Sequence, residues 1–183
     1  DKKVVKKITV VKIPRKRDYM HIDTVFTQVK KNVWVMLGIF SNKSVKHLDG
    51  DSVQRHLGIG TAQKAKDDKL KIIQFNIKNV DKPVQFDSLE ELLIDISTKD
   101  LGCKEKDVKI ILSGNDEFPY DMREQWTDSC NLLAIKEGVV LGYDRNDKTV
   151  EAFEQAGFKV VNVEDLIQDL ESDKVKVEHI KDT

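Results

Sequence analysis

The sequence predicts an α/β protein with a mixed sheet, and three observations carry that prediction. Short runs rich in Val and Ile, among them Ile8–Ile13, Val33–Phe40, Leu70–Ile77 and Val108–Leu112, read as strands bounded by Pro, Asn, Ser or Asp. Segments between them repeat apolar residues at three- and four-residue spacing, as helices packed on a sheet do. The order strand, strand, helix, strand is clear over residues 131–163 and recurs less completely before them.

The elements follow in order. Residues 1–17 are basic, with Lys2, Lys3, Lys6, Lys7, Lys12, Arg15, Lys16 and Arg17 against Asp1. Ile8–Ile13 lies within them and Pro14 ends it. Alternating Lys and Val predicts an edge strand with a charged outer face, in preference to a nucleic-acid arm. Met20–Thr27 reads as the next strand. An extended chain there puts His21, Asp23, Val25 and Thr27 on one face and Met20, Ile22, Thr24 and Phe26 on the other. Val33–Phe40 is nearly all apolar, as a strand covered on both faces is.

Residues 41–68 read as a surface insertion. Ser41-Asn42 is a turn and His47–Asp51 a loop, in which Asp49-Gly50-Asp51 lacks the further ligands of a calcium site. Leu57-Gly58-Ile59-Gly60 has neither the third glycine nor the leading strand of a phosphate loop. After the Leu70–Ile77 strand, Ser88-Leu89-Glu90-Glu91 is a capping box. It opens a helix striped by Leu89, Leu92, Leu93 and Ile96 and closed near Gly102. Val108–Leu112 is a strand and Ser113–Asp116 a turn. Leu132–Ile135 and Val139–Leu141 are strands joined by Lys136-Glu137-Gly138. Asn146 caps a helix that runs through Phe153 and Ala156 to Gly157. Phe158–Val163 reads as a strand, Val163–Leu170 as a helical turn, and residues 171–183 as a loose polar tail.

The totals narrow the classes. The chain has 183 residues, one domain or a piece of one, with 39% hydrophobic and 34% charged residues, as in soluble globular proteins. A net charge of −1 gives no bulk case for nucleic acid or a membrane surface, and no apolar run has membrane-spanning length. The two cysteines, Cys103 and Cys130, make neither a disulfide framework nor a metal motif, so a cytoplasmic setting is expected. The chain opens on Asp1-Lys2-Lys3 without signal peptide or initiator Met, the expectation for a piece of a longer protein.

His21 and Asp23 are the chemically loaded pair. An imidazole beside a carboxylate can move protons near neutral pH, and the carboxylate can hold a planar cation through paired hydrogen bonds. His-x-Asp spacing alone is unspecific. The surrounding Met20-His21-Ile22-Asp23-Thr24-Val25-Phe26-Thr27, however, resembles the signature of the arginine deiminase family of guanidino-group-modifying enzymes. Arg123-Glu124-Gln125-Trp126-Thr127-Asp128-Ser129-Cys130-Asn131-Leu132-Leu133-Ala134-Ile135 resembles a second family segment. Gly138–Leu141 and Tyr143-Asp144-Arg145-Asn146 follow in family order. Ser129-Cys130 stands where the family carries a glycine-containing pair, and Leu132 where it has Thr.

The resemblance implies a pentein fold, an α/β propeller of ββαβ units, of which this chain supplies a partial propeller as the C-terminal part of one catalytic domain. It implies hydrolysis of L-arginine to citrulline and ammonia, without metal or cofactor. A cysteine thiolate attacks the guanidinium carbon, a thiouronium forms, and water cleaves it. His21 matches the proton-transfer histidine and Asp23 the guanidinium-binding aspartate. The family's Glu-Gly-Gly-Asp segment and its Arg-Gly-Gly-x-x-Cys-Met loop, which carries the nucleophile, are not in this sequence. The chain alone is therefore expected to be inactive. Cys130 is read as a small structural thiol, and Cys103 has no histidine near it in sequence. Arg123, Asp128 and Asn131 are read as turn and strand-end residues, and Trp126 as core or active-site wall. His47, His56 and His179 are read as surface. An amidinotransferase, a dimethylarginine hydrolase and a non-catalytic binding or regulatory module are the alternatives, and a homo-oligomer stays open.

Overall fold

The computed structural model describes residues 5–13, 19, 21–41, 70–172 and 174. The surface insertion proposed for 41–68 lies outside them apart from Ser41, as does most of the tail from 171 onward, and so do His47, His56 and His179.

The centre is built on the most apolar stretch. Val33–Met36 forms a strand buried at every position. It runs antiparallel to Phe26–Lys30 and parallel to Lys109–Leu112. In chain order these strands are β2 (Phe26–Lys30), β3 (Val33–Met36) and β6 (Lys109–Leu112). The strand expected to continue to Phe40 stops at Met36, because Gly38–Phe40 turns into a 3₁₀ helix. Helix α1 (Leu89–Asp95) covers β3, with Leu89, Leu92 and Leu93 buried in one core with Val35, Met36 and Ile111. Ser88 accepts from the Glu91 amide at 3.0 Å, while the Glu91 carboxylate reaches back to the Asp87 amide, one residue earlier than a capping box places it. The helix widens into a π turn over Ile96–Asp100, and buried Ser97 there accepts from the Trp34 indole at 2.8 Å. β2, β3, α1 and β6 thus follow the strand-strand-helix-strand order, with two further strands inserted between β3 and α1.

A second sheet is built from β1 (Lys7–Lys12), β4 (Lys71–Asn76) and β5 (Asn79–Phe86), all antiparallel, in the order β1-β4-β5. β5 has no counterpart in the sequence reading. It is exposed along most of its length and carries Pro83, so it lacks apolar alternation. β1 is an edge strand as predicted, but its outer face is not simply charged. Ile8, Val10 and Lys12 face outward, while Lys7 lies on the inner side and pairs with Asp100 at 2.6 Å.

β7 (Leu133–Lys136) and β8 (Val139–Leu141) form a separate hairpin. Helix α2 (Tyr120–Trp126) precedes it; α3 (Asp147–Gln155) and α4 (Val163–Glu171) follow. α2 was not legible: its apolar residues do not repeat and its first turn follows Pro119. The strand expected over 158–163 is irregular chain up to Asn162, without a ladder partner among the described residues. Its valines are exposed, and among the described residues no strand lies alongside to take up its backbone groups. The described architecture is mixed α/β, in three small sheets and four helices.

Candidate functional site

His21 and Asp23 do not share the face of a strand. His21 is extended, at φ −121° and ψ 141°, but Ile22–Thr24 is a 3₁₀ turn and the strand begins only at Phe26. The cause is local. The Thr24 hydroxyl donates to the His21 carbonyl at 2.6 Å, and the Val25 amide donates to the Ile22 carbonyl at 3.0 Å. A threonine that bonds backbone three residues earlier offers the chain an alternative to a sheet ladder. Ile22, expected on the face opposite His21 and Asp23, is half exposed.

The turn is nevertheless firmly seated. Tyr19 before it is buried against Phe40, with ring centroids 5.2 Å apart. Val25 after it is fully buried, and its carbonyl accepts from the Leu37 amide at 3.0 Å. His21 and Asp23 are exposed between these anchors, and no hydrogen bond or ion pair among the described residues engages either side chain. Both are open to a ligand on a short, anchored turn.

The structure joins the two sequence motifs. The Thr27 hydroxyl, at the end of the first, donates to the Cys130 carbonyl in the second at 2.7 Å. The Gly138 amide in the β7–β8 turn donates to the Val29 carbonyl at 2.8 Å; Gly138 has φ +82°, which that turn needs a glycine to adopt. The second motif is organised by Glu124, which is fully buried. Its carboxylate accepts from the Lys148 and Thr149 amides at 2.9 Å each, from the Thr149 hydroxyl at 2.7 Å and from Arg123 Nη2 at 3.1 Å. It therefore caps the amino end of α3, the role the sequence assigns to Asn146. Asn146 is buried and tied instead to Thr127, donating to its carbonyl at 3.1 Å and accepting from its hydroxyl. Gly114 completes the joint. Its amide donates to the Thr149 hydroxyl at 2.8 Å, and a Cβ there would lie 2.3 Å from the Asp121 amide nitrogen.

The remaining motif residues fall around this joint. Asp128 takes a left-handed turn at φ +60° and pairs with Arg145 at 3.7 Å. Arg145 also donates to the Thr127 carbonyl and lies over the Tyr143 ring, 4.1 Å from its centroid. Trp126 is not core: it is 66% exposed at the end of α2. Its neighbour Glu124 takes the buried position because the α3 amides satisfy its charge, and that turns Trp126 outward. Burial pushes the Cys130 thiol up to about 12, and a hydrogen bond with Ser129 pulls the other way. Cys130 is thus a protonated structural thiol at neutral pH. Native alkylation at pH 7.5 is expected to modify Cys103, which is partly exposed, and to leave Cys130 unmodified until the chain unfolds. Peptide mass mapping before and after denaturant checks this; labelling of Cys130 in the native protein would contradict it.

Among the described residues no three His, Cys, Asp or Glu side chains are grouped to hold a metal ion. A groove of about 370 Å³ lies between β6 and α3, lined by Lys109, Ile111, Asn115, Ala152, Gln155 and Ala156. It contains none of the residues singled out for chemistry. No described helix is long and apolar enough to cross a membrane.

Comparison with known proteins gives this geometry a family. The family model for arginine deiminase matches residues 1–166, so the chain belongs to the arginine deiminase family. The chain is 31% identical over 163 residues to arginine deiminases of Staphylococcus aureus strains JH9, Newman and COL. Each alignment takes in 86% of this chain and 32% of the relative. The chain thus spans about a third of the length of the curated relatives it matches.

Proposed function

We propose that this chain supplies the proton-transfer and guanidinium-holding part of an arginine deiminase-like hydrolase, which converts L-arginine to citrulline and ammonia in the cytoplasm. The observation that carries the proposal is the anchored turn: it leaves His21 and Asp23 exposed, in a stretch of sequence that resembles the family's histidine- and aspartate-bearing signature. The Asp23 carboxylate fixes the plane of the guanidinium by accepting from two of its nitrogens. His21 protonates the departing nitrogen and then deprotonates the attacking water. A guanidinium is a poor electrophile, so the carbon also needs a thiolate.

Neither cysteine described here has that character. Cys130 is buried and protonated, and Cys103 lies in the loop after the π turn, its thiol directed to the Leu101 carbonyl. The chain by itself therefore binds without turning over, and the nucleophile belongs to another segment. The outer face of the β7–β8 hairpin supports that reading. Leu133, Ile135 and Leu141 are exposed there, as suits one blade of a larger α/β propeller. The same cysteines favour a second reading, in which the protein is a pentein that binds arginine without catalysis. An amidinotransferase or dimethylarginine hydrolase would use the same histidine and carboxylate.

A citrulline assay on the complete protein with arginine as substrate separates these readings. Citrulline from water and arginine supports the deiminase; calorimetric binding without product supports the binding module. Asp23→Asn is expected to weaken arginine affinity by about tenfold or more, because a neutral amide does not offset the guanidinium charge. Unchanged affinity by titration calorimetry would remove Asp23 from the site.

A further inference from the structure

We infer that Thr24 is a positioning residue for His21 and Asp23: its hydroxyl holds the turn that presents both side chains to a bound guanidinium. The inference rests on the proposed reading of that pair. Backbone alternation supplies the first argument. An extended chain running back from Val25 would carry Asp23 and His21 on the face of Val25, and Val25 is fully buried. A strand would therefore aim the imidazole and the carboxylate at the core, where an unpaired charge is costly. The 3₁₀ turn over Ile22–Thr24 breaks the alternation, so that Val25 stays in the core while His21 and Asp23 are exposed.

The turn forms against the local composition, which makes its hydrogen bonds decisive. Ile22, Thr24, Val25 and Phe26 are β-branched or aromatic and favour a strand. The backbone bonds that close the turn run from the Thr24 amide to the His21 carbonyl, long at 3.3 Å, and from the Val25 amide to the Ile22 carbonyl at 3.0 Å. The Thr24 hydroxyl adds a shorter one, 2.6 Å, to the same His21 carbonyl, which has lone pairs for both donors. It ties residue 24 to residue 21 across Ile22 and Asp23, and so fixes how the two functional side chains diverge. The ends of the segment are held independently, by Tyr19 against Phe40 and by the Val25 carbonyl accepting from the Leu37 amide. Loss of the hydroxyl thus changes the presentation of the pair without unseating the segment.

Thr24→Val in the complete protein tests it, because valine keeps the β-branched shape and removes only the hydroxyl. With arginine as substrate, kcat is expected to fall and KM to rise, each by about tenfold, through the displaced imidazole and carboxylate respectively. The melting midpoint should move by no more than roughly 4 °C, the effect of one hydrogen bond. Thr24→Ser, which keeps the hydroxyl, should restore both constants. A merely structural threonine gives another pattern: a smaller folded fraction lowers kcat at unchanged KM, with a much lower midpoint. That pattern, parental constants in Thr24→Val, or no recovery in Thr24→Ser overturns the inference. Titration calorimetry with arginine separates the inference from the reading beneath it. A parent that binds arginine but yields no citrulline overturns the deiminase reading alone. The inference then stands or falls on whether Thr24→Val loses about tenfold in arginine affinity and Thr24→Ser regains it. A parent that neither binds nor converts arginine overturns both.

Discussion

Glu124→Ala is expected to destabilise the fold by about 3 kcal/mol, the cost of stripping buried helix-terminal amides of their acceptor. The carboxylate is fully buried and receives two α3 amides, the Thr149 hydroxyl and one Arg123 nitrogen. Removing it leaves the Lys148 and Thr149 amides without that partner, and the Thr149 hydroxyl, itself an acceptor for the Gly114 amide, loses its orientation. α2, α3 and the Ser113–Asp116 turn loosen together. For a chain of this size the loss corresponds to a melting midpoint lower by roughly 6–12 °C. Glu124→Gln keeps an acceptor and the shape and should cost less. Trp126→Ala in the same motif is the contrast: that side chain is largely exposed, so its loss should change stability by no more than about 0.5 kcal/mol. Differential scanning calorimetry on the three variants checks the order. A Glu124→Ala protein that melts with its parent would show that α3 is held some other way.

His21→Ala in the complete protein is expected to lower citrulline formation by about a thousandfold, within the range of general acid–base catalysis. Stability should not follow, because the side chain is exposed and makes no hydrogen bond among the described residues. The turn is held by the His21 carbonyl, which alanine retains, together with the Thr24 hydroxyl and buried Val25. The two readouts separate chemistry from folding: citrulline by colorimetry, and unfolding by circular dichroism. Full activity in a folded variant would take His21 out of the mechanism. Loss of activity together with the fold would make it a structural residue instead.

Much of the chain was legible where apolar pattern and local chemistry agree. The all-apolar Val33–Met36 became the buried central strand, and Ser88 with Glu91 closed the amino end of α1. Gly138 made the hairpin turn, and Cys130 was recognisable as structural from its place beside an apolar run. The misses share a cause. β5 is exposed and carries Pro83, so it has no periodicity to read, and Val160 and Val161 have strand composition without a strand to pair with among the described residues. A strand is completed by its partner, and the partner is not in the local sequence.

By itself the sequence determined the family, the mixed α/β class and the identity of the two residues proposed to act on a guanidinium. Those follow from residue order and from side-chain chemistry that any fold would carry. The tertiary structure alone decided how they are presented. It set His21 and Asp23 on a 3₁₀ turn, because the Thr24 hydroxyl takes a backbone carbonyl that a strand would have left to its neighbour. It gave the cap of α3 to Glu124 rather than Asn146, since a buried carboxylate is stable only where several donors converge, and those donors come from residues more than twenty positions away.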